Sequence, residues 1–186
     1  MVLLHTLEEE GLGRLAHTTL RRAARAVIRR GDALVLIRSR RYGEYKFLGG
    51  GVQEGEDLPA ALLREVREEG GLAVLPDTIR PYGFTIERRA ALEPDTLLEQ
   101  YSYYYWCETD GKIGPTHQDD YEREYGYRLA VVPPREAWTA NSRLLASGDC
   151  PPWTRRDTWV LARLAEELEQ AAAPERNDSN EEDTQT

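Results

Sequence analysis

The segment Arg64-Glu65-Val66-Arg67-Glu68-Glu69-Gly70-Gly71 puts three glutamates within five residues, at the end of a stretch whose local signals predict a helix. Asp57 followed by Leu58-Pro59 is a helix start, and Gly70-Gly71 is a stop. Ala60 to Glu65 are good helix formers between them. At about 3.6 residues per turn, Leu58 and Leu62 set the stripe that faces the protein, and the next positions on it are Glu65 and Glu69. Val66 and Glu68 flank the stripe on opposite sides, while Ala60, Leu63 and Arg67 face away. The helix therefore begins with leucines toward the interior and ends with carboxylates toward it. Any fold of this chain has to accommodate that.

The arrangement is costly without a partner. Glu65 and Glu69 are like charges at i,i+4, which destabilises a helix even on the surface. At about 6 Å and an effective dielectric near ~20 they repel by about 3 kcal/mol, and partial burial adds desolvation. Removing one charge is thus expected to leave the metal-free helix level or more stable. Arg64 can neutralise part of the charge, whereas Arg67 is on the wrong side. Several carboxylate oxygens converging on one point suit a hard divalent cation such as Mg2+, with Mn2+ as the alternative. The competing reading is an acidic, solvated helix end in a chain with 31% charged residues.

The residues upstream decide between these. From Gly50 the chain runs Gly, five residues, Glu56, seven residues, and then Arg64-Glu65-Val66-Arg67-Glu68-Glu69-Gly70-Gly71-Leu72. This resembles the signature of the Nudix hydrolases at every specified position. The resemblance implies metal-dependent hydrolysis of a nucleoside diphosphate linked to another moiety, such as a nucleotide sugar or related diphosphate. A Nudix-fold sensor that binds a nucleotide-like ligand without catalysis is the alternative, and an intact box favours the enzyme. The resemblance also implies roles: Glu65, Glu68 and Glu69 as metal ligands, the Gly50 carbonyl as a further ligand, and Arg64 orienting the carboxylates. Glu56 would hold Arg64 or the loop. One more acidic ligand is expected from a loop after the box, where Asp119, Asp120, Glu122 and Glu124 compete and Glu122 is the first choice. Gly51 lets the backbone approach substrate. Arg38, Arg40, Arg41 and Lys46 flank the strand entering the glycines, where basic groups can bind phosphate oxygens. The marks of ADP-ribose, dinucleoside polyphosphate and coenzyme A specialists are missing downstream and upstream of the box, so the second moiety stays open.

The rest of the chain supplies a setting. Arg21 to Ser39 reads as two strands around a Gly31-Asp32 turn, with apolar runs that suit coverage on both faces. Strand signals recur at Tyr45-Lys46-Phe47, at Gly71 to Leu75, at Ile79 to Glu87 and at Tyr125 to Val132. The clearest is Leu97 to Glu108, which puts Tyr101, Tyr103, Tyr105 and Cys107 on one face and Ser102, Tyr104 and Trp106 on the other. Arg135 to Leu145 and Thr154 to Gln170 read as helices. The expected architecture is α/β: a mixed β-sheet with the box helix on one face and the C-terminal helices on the other, an α/β/α sandwich such as the Nudix fold. Residues 1–19 are expected as an irregular lead-in or short helix, 20–173 as the domain, and 174–186 as a disordered acidic tail.

A net charge of -9 argues against a general nucleic-acid or anionic-membrane surface, though not against a phosphate-bearing small molecule bridged by metal. The two cysteines, Cys107 and Cys150, form no framework, and the N-terminal stretch has no basic region before an apolar run. A cytoplasmic protein acting on a small nucleoside diphosphate derivative is the expectation, with a homodimer the one assembly considered.

Overall fold

The computed structural model describes residues 1–91, 93–117 and 119–172. In chain order the elements are β1 (Leu3–Glu8), β2 (His17–Arg30), β3 (Ala33–Arg38), β4 (Tyr45–Lys46), α1 (Leu58–Gly70), β5 (Leu72–Val74), a 3-10 turn (Pro76–Thr78), β6 (Arg80–Ala90), β7 (Thr96–Cys107), β8 (Thr109–Ile113), α2 (Asp120–Tyr125), β9 (Arg128–Val132), α3 (Pro134–Ser147) and α4 (Thr154–Ala172). The main sheet runs β1-β6-β7-β2-β3, with β4 and β9 both on β3. It is mixed: β1–β6 and β2–β7 are parallel, and β6–β7, β2–β3 and β3–β9 antiparallel. Among the described residues no helix is long and apolar enough to cross a membrane.

The expected sandwich is what forms. One core lies under α1: Ala24, Ala26, Ile28, Val35, Ile37, Tyr105 and Cys107 from the sheet meet Ala61, Leu62 and Val66. The other lies under α3 and α4: Val27, Leu34, Leu36, Phe47 and Tyr104 meet Ala137, Val160, Leu161 and Leu164. Consecutive residues of β2 and β3 alternate between the two cores, which explains their unbroken apolar runs. β7 divides its aromatics as the alternation predicts.

Residues 1–19 are not a lead-in. Leu3–Glu8 is an edge strand whose Leu7 is buried and whose His5 ring stacks on Trp159 of α4 at 4.5 Å. His17 to Thr19 already belong to β2. β5 forms within the strand signal at Gly71 to Leu75, whereas its partner β8 and the short helix α2 stand where no element was expected. The acidic tail lies outside the described residues.

Two features place the glycines. β9 occupies one edge of β3 from Leu34 to Arg38, so β2 and β4 share the other edge. Past β4 the chain moves onto β2: Ala26 N donates to Leu48 O (2.8 Å), Ala24 N to Gly50 O (3.0 Å) and Val52 N to Arg22 O (2.9 Å). The glycine segment thus fills the fork where β2 and β3 part. The entry is fixed by the fully buried Asn141 of α3, whose Oδ1 accepts from Tyr45 N and whose Nδ2 donates to Tyr45 O, both at 2.8 Å. Asn141→Ala orphans a buried amide and carbonyl together, so a loss of about 2 kcal/mol is expected. Urea denaturation measures it, and an unchanged midpoint would mean water replaces the amide without cost.

Candidate active site

Helix α1 starts and stops where its sequence directs. The Asp57 carboxylate accepts from Ala60 N at 2.8 Å, Pro59 sits in the first turn, and Gly71 closes the helix at φ 63°. The buried stripe is Ala61, Leu62, Val66 and Glu69, with Glu65 and Glu68 half-buried beside it. It is rotated from the expected one: Val66 is fully buried rather than a flank, and Leu63 packs partly on the core instead of facing away. Arg67 is exposed, as expected. A leucine stripe is wider than one column of side chains, so its centre was placed one residue off.

Glu69 lies deepest, at 3% exposure. Its Oε1 accepts from Lys46 Nζ at 2.7 Å and its Oε2 from Gly49 N at 2.8 Å. Burial opposes its ionisation. Lys46, a hydrogen bond with Glu122 and the charge of Arg25 outweigh that and hold the carboxyl below its ordinary range. Glu122 sits opposite, its Oε1 3.9 Å from Lys46 Nζ, while its Oε2 accepts from Asp119 N at the head of α2. Burial, reinforced by the bond to Glu69, pushes its carboxyl up to about 7. The sequence choice of Glu122 among four acidic residues therefore lands beside the box glutamates.

Arg64 organises the other side. Nε and Nη2 grip both oxygens of Glu56 at 2.9 Å, Nη2 also donates to Gly51 O at 2.9 Å, and Nη1 reaches Glu65 (2.7 Å) and Glu68 (3.0 Å). One guanidinium thereby ties the helix to the glycine loop, and its hydrogen bond draws the Glu56 carboxyl below its usual range. Burial raises the Glu65 carboxyl, and Glu69 adds to this.

The glycines are forced by contact. Gly49 has φ 129°, and a Cβ there would collide with the Ala24 carbonyl oxygen. At Gly50 a Cβ would land on the Glu65 carboxylate, so that carboxylate lies directly against the Gly50 backbone.

Of the basic residues read as phosphate ligands, none faces this cluster as a free cation. Lys46 is buried, paired with Glu69 and 4.4 Å from the Tyr127 ring centroid. Arg41 pairs with Glu124 and lies over the rings of Tyr42 and Tyr125. Arg38 lies over Tyr45, on the α3–α4 side of the sheet, because it follows the inward Ile37 by one residue. Two residues went unread. Arg25 is buried, donates to Gly49 O, and favours ionisation of both Glu65 and Glu69. The signal was present: a charge inside the apolar run Ala23 to Ile28. Tyr127 carried no such signal.

Among the described residues, no three carboxylates already converge in the arrangement of a metal site. Glu65 and Glu68 share Arg64, and Glu69 holds Lys46. The donor set nevertheless fits a hard divalent ion: the carboxylates of Glu65, Glu68, Glu69 and Glu122 and the Gly50 carbonyl are all oxygen. Gly50 O uses one lone pair on Ala24 N and keeps the other. The missing Gly50 Cβ leaves the cradle in which the Glu65 carboxylate meets the backbone.

The family model for the NUDIX domain matches residues 19–149. A nucleoside triphosphatase NudI of Escherichia coli O139:H28 is 36% identical over 63 residues, 34% of this chain and 45% of that protein. The chain thus spans about half the length of the curated relatives it matches. A solved nudix hydrolase family member from Chromobacterium violaceum aligns at 21% identity over 82% of this chain and 95% of its own, with a TM-score of 0.44. A MutT NUDIX hydrolase from Burkholderia pseudomallei aligns at 18% identity over 63% and 85%, with a TM-score of 0.47.

Proposed function

The chain belongs to the Nudix family, and from that premise we propose that it is a divalent-metal-dependent hydrolase of diphosphate bonds in nucleotide derivatives. The observation that carries the reading is the set of four carboxylates gathered around the glycine loop: Glu65 lies against Gly50, Glu68 shares Arg64 with it, Glu69 accepts from Gly49 N, and Glu122 neighbours Lys46 with Glu69, so that carboxylates outnumber the cations Arg64, Lys46 and Arg25. The substrate proposed is a nucleoside diphosphate joined to a second moiety. The name of the Escherichia coli relative adds nucleoside triphosphates to the compounds worth testing.

Glu65, Glu68 and Glu69, with the Gly50 carbonyl and Glu122, would hold Mg2+ or Mn2+. A bound ion of this kind neutralises charge on the diphosphate and makes a water nucleophilic near neutral pH. The chain's own residues do the positioning. Arg64 fixes the Gly51 carbonyl, Glu65 and Glu68 in one frame, and Glu56 holds Arg64 through both oxygens. Lys46 and the Gly49 amide keep Glu69 ionised and aimed, which favours ligation over protonation. The intracellular setting belongs to the same proposal, since small nucleotide derivatives of this kind are cytoplasmic compounds.

The reading is tested by metal. Mg2+ or Mn2+ should raise the melting temperature by an amount that grows with concentration, because it binds the folded chain. A screen of nucleoside diphosphate and triphosphate derivatives, with phosphate read after a coupled phosphatase, should give turnover that stops when a chelator is added. Unchanged melting and unchanged turnover in excess chelator would remove the metal site.

A further inference from the structure

At the ends of β3 and β9, Arg38, Arg40 and Arg128 line one depression of about 400 Å³ together with Ser39, Gly43, Leu129 and Ala130, with Arg38 and its cross-strand partner Arg128 on the α3–α4 side of the sheet. No carboxylate is among the lining residues. About half of the other described arginines have an acidic partner, Arg64, Arg88, Arg123, Arg135, Arg156 and Arg163 among them. Arg38, Arg40 and Arg128 make no ion pair among the described residues. Their placement is also costly. Arg38 and Arg128 are cross-strand partners in the antiparallel β3–β9 ladder, and like charges directly opposite destabilise a sheet. Arg40 adds a third positive charge, in a protein whose net charge is -9.

Two of the three are held in position. The Arg38 guanidinium lies 5.4 Å from the Tyr45 ring centroid, and Tyr45 is itself clamped by Asn141. The stem of Arg40 lies across Gly126, where a Cβ would come within 3.1 Å of it. The amides of Arg40 and Arg41 both donate to Tyr125 O, at 3.0 and 3.2 Å, and Ser39 N donates to Glu44 O at 3.0 Å, so the loop that carries Arg40 is tied down. Planar guanidinium groups that line one depression without an acid match the oxygens of a phosphate group.

We propose that Arg38, Arg40 and Arg128 form a metal-independent site for a phosphate group, separate from the carboxylate cluster. The group arrives either as free inorganic phosphate or pyrophosphate, or as the phosphate of a nucleotide. The depression is large enough for a phosphate with a small attached moiety. This site goes beyond the hydrolase reading and does not depend on it.

The test is calorimetric titration of the protein in excess chelator with inorganic phosphate, pyrophosphate and ADP. Saturable binding is expected, weakened tenfold or more by Arg128→Gln and separately by Arg40→Gln, and weakened by added salt. Glu68→Gln and Arg67→Gln should bind as the parent does, which separates this site from the carboxylate cluster whatever the outcome for catalysis. Equal affinity for phosphate and ADP identifies the free anion as sufficient. Tenfold tighter ADP identifies a nucleotide-borne phosphate. Either supports the site. The ligand-free melting temperature of Arg128→Gln should be level or higher, because a like-charge pair is relieved. Absence of saturation with all three probes, binding that survives both arginine variants, or a ligand-free Arg128→Gln that melts clearly lower would each overturn the proposal.

Discussion

Glu68→Gln is expected to lower turnover on the best substrate by roughly 10²-fold or more, about 3 kcal/mol of barrier, while the metal-free fold stays level or gains slightly. Glu68 is the cleanest box glutamate to test. Its side chain is 41% exposed, and its one ion pair is an end contact with Arg64, which keeps Glu56, Glu65 and the Gly51 carbonyl when Glu68 is neutral. Glu69→Gln should lose comparable activity but behave differently in stability. From the sequence, Glu69 was one of two repelling charges, and its removal looked harmless. In the structure it is the buried partner of Lys46, and glutamine leaves that ammonium with only the more distant Glu122. Metal-free Glu69→Gln should therefore be destabilised by about 2–3 kcal/mol, because a buried charge loses its counter-ion. Arg67→Gln, exposed on the same helix, is the control and should change neither property much. Full turnover in Glu68→Gln would show that this residue is not an essential ligand. Full turnover in both variants would leave the hydrolase reading without a mechanism.

The reversal for Glu69 shows where sequence reasoning reached and where it stopped. Features set by neighbours along the chain were legible. Asp57, Pro59 and Gly71 delimit α1 through caps that depend only on local geometry, and the alternation of β7 sends Tyr105 and Tyr104 to opposite cores. Features set by distant partners were not. β1 is a strand because β6 offers a parallel edge some eighty residues away, and nothing within Leu3–Glu8 announces it. Lys46 in a short strand read as a solvent-facing cation able to bind phosphate. Its face of the sheet is instead closed by Glu69 of α1 and by Glu122 and Tyr127 of the α2–β9 segment. The candidate residues that the sequence pointed to and the fold gathers here belong to the contiguous box, apart from Glu122 on α2. Arg25 and Tyr127, which carried no role in that reading, reach it from β2 and from the residue just before β9.

Gly49→Ala and Gly50→Ala should separate the fold from the site at adjacent positions. At Gly49 the backbone has φ 129°, a region closed to other residues, and a Cβ would strike the carbonyl oxygen of Ala24 in the central strand β2. That obstacle is backbone and cannot swing aside. Moving it would also break the run of hydrogen bonds that seats Leu48, Gly50 and Val52 on β2. The expected cost is about 3–5 kcal/mol, enough to unfold a marginal domain, measured by urea denaturation or loss of soluble protein. At Gly50 the φ is ordinary and the obstacle is the Glu65 carboxylate, the far end of a flexible side chain. Alanine there should displace Glu65 and leave the fold within about 1 kcal/mol of the parent. Turnover should drop roughly 10²-fold, as the carboxylate no longer lies against the Gly50 backbone. A Gly49→Ala variant as stable as the parent would mean that β2 yields more easily than its hydrogen bonds imply. A fully active Gly50→Ala variant would show that the contact between Glu65 and the glycine loop is packing alone, and would remove Gly50 from the proposed ligand set.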